Sequence, residues 1–131
     1  MLPPVEPRID ATRLPLIVVT IDGPPTNGEH ASYLEQLAEL AAVTAPHACV
    51  IHARDGGALS REQSRAQARW LSRHREMLSR NCVGNAFVFG SAVQRFMLSG
   101  ILLVSSLPFP HRVFAEYDDA ERWAWSRLGR G

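Results

Sequence analysis

The sequence contains no lysine: all fourteen of its basic residues are arginine. Arginine keeps its charge at every physiological pH and pairs with carboxylate or phosphate through a planar fork. Neither sign of charge is in excess, the formal net charge being +1, which excludes a dedicated nucleic-acid binder as a whole-domain property. Only two cysteines occur, Cys49 and Cys82, too few for a disulfide framework or a thiolate metal site. Cys49 lies within the apolar run Ala-Cys-Val-Ile, where a cysteine behaves as a small hydrophobe. Long hydrophobic runs are missing too. The longest apolar region, Phe96 to Leu107, is interrupted by Ser99, Gly100, Ser105 and Ser106, and falls short of the roughly 20 residues a membrane span needs. The N-terminal MLPPVEPRID carries prolines and acids in place of a signal peptide's apolar core, so a cytoplasmic chain without a membrane span is the expectation.

Catalytic and nucleotide motifs are absent as well. There is no G-x-G-x-x-G, no phosphate loop ending in Gly-Lys-Ser/Thr, and no G-x-S-x-G elbow. No two of the five histidines stand at helical spacing, so neither a metal nor a cofactor is implied. An enzyme, such as a small hydrolase or transferase, would need His52 or His111 as its base, and no nucleophile is marked out beside either. No catalytic residue is therefore assigned.

What is present is an ordinary globular composition, 46% hydrophobic and 21% charged, in a length that suits one domain. Residues 1–13 read as an arm broken by Pro3, Pro4 and Pro7, with a short edge strand at Val5–Asp10 before a turn at Ala11–Arg13; residues 14–131 read as a single domain. Leu14–Asp22 is a strand whose apolar side chains do not alternate with polar ones, which predicts cover on both faces. Thr26 with Glu29 forms a capping box opening a helix whose inner face is Tyr33, Leu34, Leu37, Leu40, Ala41 and Thr44. A strand at Ala48–Ala53 follows, then the loop Asp55-Gly56-Gly57-Ala58. Ser60 with Gln63 opens a helix running to about Arg80, and Asn85–Phe89 is a third buried strand. Ser91 with Gln94 opens a very apolar helix to about Ser106. Arg112–Tyr117 is a last strand, and Asp118 with Glu121 caps a final helix. The alternation predicts an α/β fold: a mainly parallel sheet of four to five strands with about four helices.

Three features are candidates for binding. The Asp55–Ser60 loop, with Gly56, Gly57, Ser60 and Arg61, lies between a strand and a helix N-terminus, a place suited to an anionic small ligand such as a nucleotide, a phosphate or a lipid headgroup. An ordinary turn with a Ser60 cap explains the same residues. Next come Arg61, Arg65, Arg69 and Arg73, whose four-residue steps advance roughly 40° each and keep them on one broad helix face. That face suits an acidic protein partner, a phosphorylated ligand or anionic lipid, while a solvated helix face explains the same residues. Finally, Trp123 and Trp125 cannot both face one core, so Trp125 is expected to be partly exposed, as a partner anchor or packed on the chain's own arm. A homodimer through the apolar third helix or Trp125 is open on the same reasoning.

The order of elements resembles the STAS-like superfamily, which includes the anti-sigma-factor antagonists, over Leu14 to Leu128. The residues that carry the resemblance are Leu-Ile-Val-Val-Thr-Ile-Asp-Gly at 16–23, the strand–loop–helix of Ala48–Ser60, and the ending Arg-Val-Phe-Ala-Glu-Tyr-Asp-Asp-Ala-Glu-Arg-Trp. The resemblance implies a bacterial, non-catalytic regulatory or protein-interaction scaffold. The antagonists carry a phosphorylated serine directly after an aspartate at the start of the helix following the second buried strand. This chain has Asp55-Gly56-Gly57 there, and Ser60 comes several residues later.

Overall fold

In the computed structural model, which describes residues 7–54, 59–104 and 106–130, five strands form one sheet in the order β1-β2-β3-β4-β5. The strands are β1 (Arg8–Arg13), β2 (Leu16–Asp22), β3 (His47–Arg54), β4 (Cys82–Phe89) and β5 (His111–Phe114). β1 runs antiparallel to β2, and every other neighbouring pair is parallel. Parallel neighbours need a crossover element, here α1 (Asn27–Val43) between β2 and β3, α2 (Arg61–Arg73) with α3 (Arg75–Asn81) before β4, and α4 (Ala92–Val104) before β5. α5 (Tyr117–Arg127) follows β5.

The unbroken apolar run of β2 is buried on both sides, as a central strand requires. Ile17, Val19 and Ile21 face a core with Tyr33, Leu34 and Leu37 of α1, Trp70 of α2 and Leu78 of α3. Leu16 and Val18 face the other way, with Val50, Val88 and the buried Ala120 and Ala124 of α5. α5 approaches β4 closely at Gly84, where a Cβ would stand 2.8 Å from Arg127 Cγ and 3.2 Å from Trp123 Cη2. β2 ends in a turn at Gly23, whose φ of +75° suits glycine.

Several boundaries differ from the sequence reading. Ala11–Arg13 is strand and not turn, because Arg13 pairs with Leu16 across a register shift that begins at Asp10. The side chain of Asp10 stabilises that irregularity by accepting from Thr12 N–H at 2.9 Å and Thr12 Oγ1 at 2.6 Å. The helix expected to reach Arg80 divides at His74, which leaves helical geometry (φ −104°, ψ 15°) with its ring 5.1 Å from that of Trp70. The Thr26/Glu29 and Ser60/Gln63 boxes are both complete. The expected Asp118/Glu121 box is not formed. α5 starts earlier, so Asp118 and Asp119 lie in its first turn, where they complement the helix dipole, and Glu121 instead pairs with Arg13.

α4 departs most from expectation. None of its described side chains is buried, and Val93, Phe96, Met97, Ile101 and Leu103 are exposed by 56–88%.

Candidate interaction site

The arginine helix is fixed by polar contacts that reach across to α1. Gln63 completes the cap of α2, and its Nε2 also donates to Pro25 O at 2.8 Å and to Asn27 Oδ1 at 3.0 Å. One turn on, Gln67 Oε1 meets His30 Nε2 at 2.9 Å. One more turn on, the buried Trp70 donates its indole N–H to Leu34 O at 3.0 Å. Asn27 is exposed, but the other partners are buried or half-buried, so losing one of those would leave a polar group without solvent or protein to satisfy it. Because these contacts advance together along both helices, α1 and α2 lie side by side and parallel.

Above this seam is an open groove of about 630 Å³. Ala31, Leu34, Ala38, Ala66 and Trp70 line it, with Glu35 and Glu39 on the α1 side and Arg69, Arg73 and His74 on the α2 side. The side chains of Arg65, Arg69 and Arg73 are exposed and make no ion pair or hydrogen bond with another described residue. Arg61 is exposed at the first position of α2. The acidic side of this groove was not legible as a site, because Glu35 and Glu39 are far from the arginines in sequence. The signal available was the i,i+4 acid pair beside Ala31 and Ala38.

The other candidates are dispersed. Asp55, Gly56 and Gly57 lie outside the described residues. Ser60 Oγ accepts from Gln63 N–H as the helix cap. Trp125 is half-buried against the α5 side of the core, on the opposite face of the sheet from the groove, with the Arg130 guanidinium 5.8 Å from its ring centroid. Residues 1–6 of the N-terminal arm, the alternative packing surface expected for Trp125, lie outside the described residues.

The two histidines an enzyme would need lie apart from the groove. His52 stacks on Tyr117 with centroids 5.3 Å apart, near an ion cluster in which Asp22 pairs with Arg8 at 2.8 Å and Arg54 at 3.4 Å. Burial and then Arg54 lower the pKa of His52, while Asp22 opposes them. His111 Nδ1 sits 3.3 Å from Phe109 O. Neither ring lines the groove or a small interior cavity of about 30 Å³, room for about one water. That cavity is bordered by Asn85, whose Oδ1 has no partner among the described residues, and by both cysteines. Burial pushes the Cys82 thiol up to about 11 and raises Cys49 further, so both are protonated, inert side chains near neutrality. Among the described residues no group of three or more His, Cys, Asp or Glu could hold a metal ion, and no helix is long and apolar enough to cross a membrane.

No family model matches the sequence, and no curated protein matches it. A solved structure does match. It is an uncharacterized protein of the DUF3478 family from Shewanella loihica, described as having a SpoIIAA-like fold. The two superpose with a TM-score of 0.64 at 16% identity, over 89% of this chain and 90% of that one. At that identity the likeness speaks for the fold alone. Together with the strand order found here, it shows that the chain has a SpoIIAA-like, that is STAS-like, α/β fold.

Proposed function

We propose that the chain is a non-catalytic interaction module that docks a protein partner on the exposed side of α2. One observation carries this reading: Arg65, Arg69 and Arg73 stand exposed, without an ion pair to another described residue, along a helix that is itself anchored to α1. The fixed helix backbone presents the guanidinium groups in a row, suited to bidentate contacts with an acidic surface; the ordering cost that remains is that of the arginine side chains themselves. The protonated, buried thiols and the separation of His52 and His111 from the groove support a binding role over a chemical one.

The test compares recovery of partner from extract of the source cell by wild-type chain and by the triple variant Arg65→Ala, Arg69→Ala, Arg73→Ala. A protein recovered in near-stoichiometric amount with wild type is expected to be lost with the variant, while circular dichroism shows an unchanged fold. Equal recovery by both would contradict the assignment to α2. Trp125→Ala, on the other face of the sheet, is expected to behave as wild type.

A further inference from the structure

The two walls of the α1–α2 groove carry opposite charges that do not neutralise each other. Glu35 and Glu39 stand on one wall, Arg69 and Arg73 on the other. All four are exposed, and none makes an ion pair or hydrogen bond with another described residue. The seam of contacts Gln63–Asn27, Gln67–His30 and Trp70–Leu34 sets the register of the helices, so the acidic and basic walls lie at similar heights along the groove. Between them the lining includes the small side chains of Ala31, Ala38 and Ala66, which allow close approach.

We propose that the groove is occupied by a second copy of this chain, docked face to face about a twofold axis parallel to the groove. This rests on the reading of α2 as a docking surface and names its partner. Rotation about such an axis preserves height and exchanges left for right. Each acidic wall then meets the basic wall of the other copy, and the contact is made twice, as an isologous interface requires. An axis across the groove would set glutamates against glutamates and arginines against arginines, so the charge pattern selects one orientation. Docking also removes water from between the walls, which strengthens attractions that are weak on an open surface. α4 exposes more apolar area than the groove, but nothing in the structure indicates what covers it.

Sedimentation velocity over a concentration series tests the proposal with three chains: wild type, Glu35→Arg with Glu39→Arg, and Arg69→Glu with Arg73→Glu. Wild type is expected to dimerise. Each reversed chain, having two walls of like charge, is expected to remain monomeric where wild type is dimeric. An equimolar mixture of the two reversed chains is expected to restore the dimer. Raising salt from 0.1 to 1 M should weaken the wild-type dimer roughly tenfold or more, since the Debye length falls from about 10 to about 3 Å. A wild-type chain that stays monomeric overturns the proposal, as do reversed chains that dimerise like wild type or a mixture that stays monomeric. If a reversed chain fails to fold, the salt response of the wild-type dimer decides: a dimer that persists unweakened at 1 M salt overturns the proposal. If wild type is monomeric but partner recovery still requires Arg65, Arg69 and Arg73, the docking reading stands and only the second copy falls.

Discussion

α1 and α4 are both crossover helices following buried strands, yet they end in opposite circumstances. α1 places Tyr33, Leu34, Leu37 and Ala41 in the core and turns Glu35 and Glu39 to water. α4 is richer in large apolar residues, yet buries none of its described side chains. The difference shows that apolar content alone does not dock a helix. α1 has one apolar stripe and so one way to sit, and α2 locks it there through Gln63, Gln67 and Trp70. α4 is apolar on several sides. Its described polar anchors to the sheet end are those of Arg95, which donates to Phe89 O at 2.7 Å and Gly90 O at 2.9 Å.

Substitutions in the two regions should therefore differ widely in effect. The largest is expected from Trp70→Ala, which empties a buried site and frees Leu34 O; it should cost about 3–5 kcal/mol in urea unfolding. A loss below about 1 kcal/mol would mean that the α1–α2 seam does not hold the fold. Removing the cap of α1 by Thr26→Ala should cost about 1 kcal/mol, measured the same way.

A smaller effect is expected from pH. His47 is almost fully buried, with Nδ1 donating to Thr44 O at 2.8 Å, and burial holds its pKa below the usual 6.5. Above that value both folded and unfolded chains carry it neutral, and stability is complete. As pH falls below 6.5, the unfolded chain takes up a proton that the folded chain resists, so stability declines toward the folded-state pKa. The melting temperature should thus drop between pH 7 and 5.5, and less so in His47→Gln. A rise over that interval would contradict the burial of a neutral His47.

The smallest effect belongs to α4: Phe96→Ser and Leu103→Ser should each change stability by no more than about 0.5 kcal/mol while lowering binding of an apolar dye. A cost above about 2 kcal/mol for either would place that side chain in a core and end the contrast between the helices.

These contrasts also mark what was legible in the sequence. The caps at Thr26 and Ser60 could be read because capping is a bond between residues three apart. The continuous apolar run of β2 announced a strand covered on both faces for the same local reason. The STAS-like architecture follows from the order of such segments. The α1–α2 groove could not be read, because Gln63, Gln67 and Trp70 bond to partners more than thirty residues away. Nor could the exposure of α4, since apolar residues in a helix mark a face that can be buried and not whether another element covers it. The arginine row was visible as a row; that it borders an acidic wall was a matter of packing.

The central claim is that partners meet the α1–α2 face. Its most direct test is site-specific photo-crosslinking in the source cell, with the reactive group placed at Ala31, exposed where it lines the groove, or at Phe96 on α4. The account predicts a discrete adduct from position 31, containing the chain itself, and none of comparable yield from position 96. An adduct formed only from position 96 would contradict it and make α4 the docking surface.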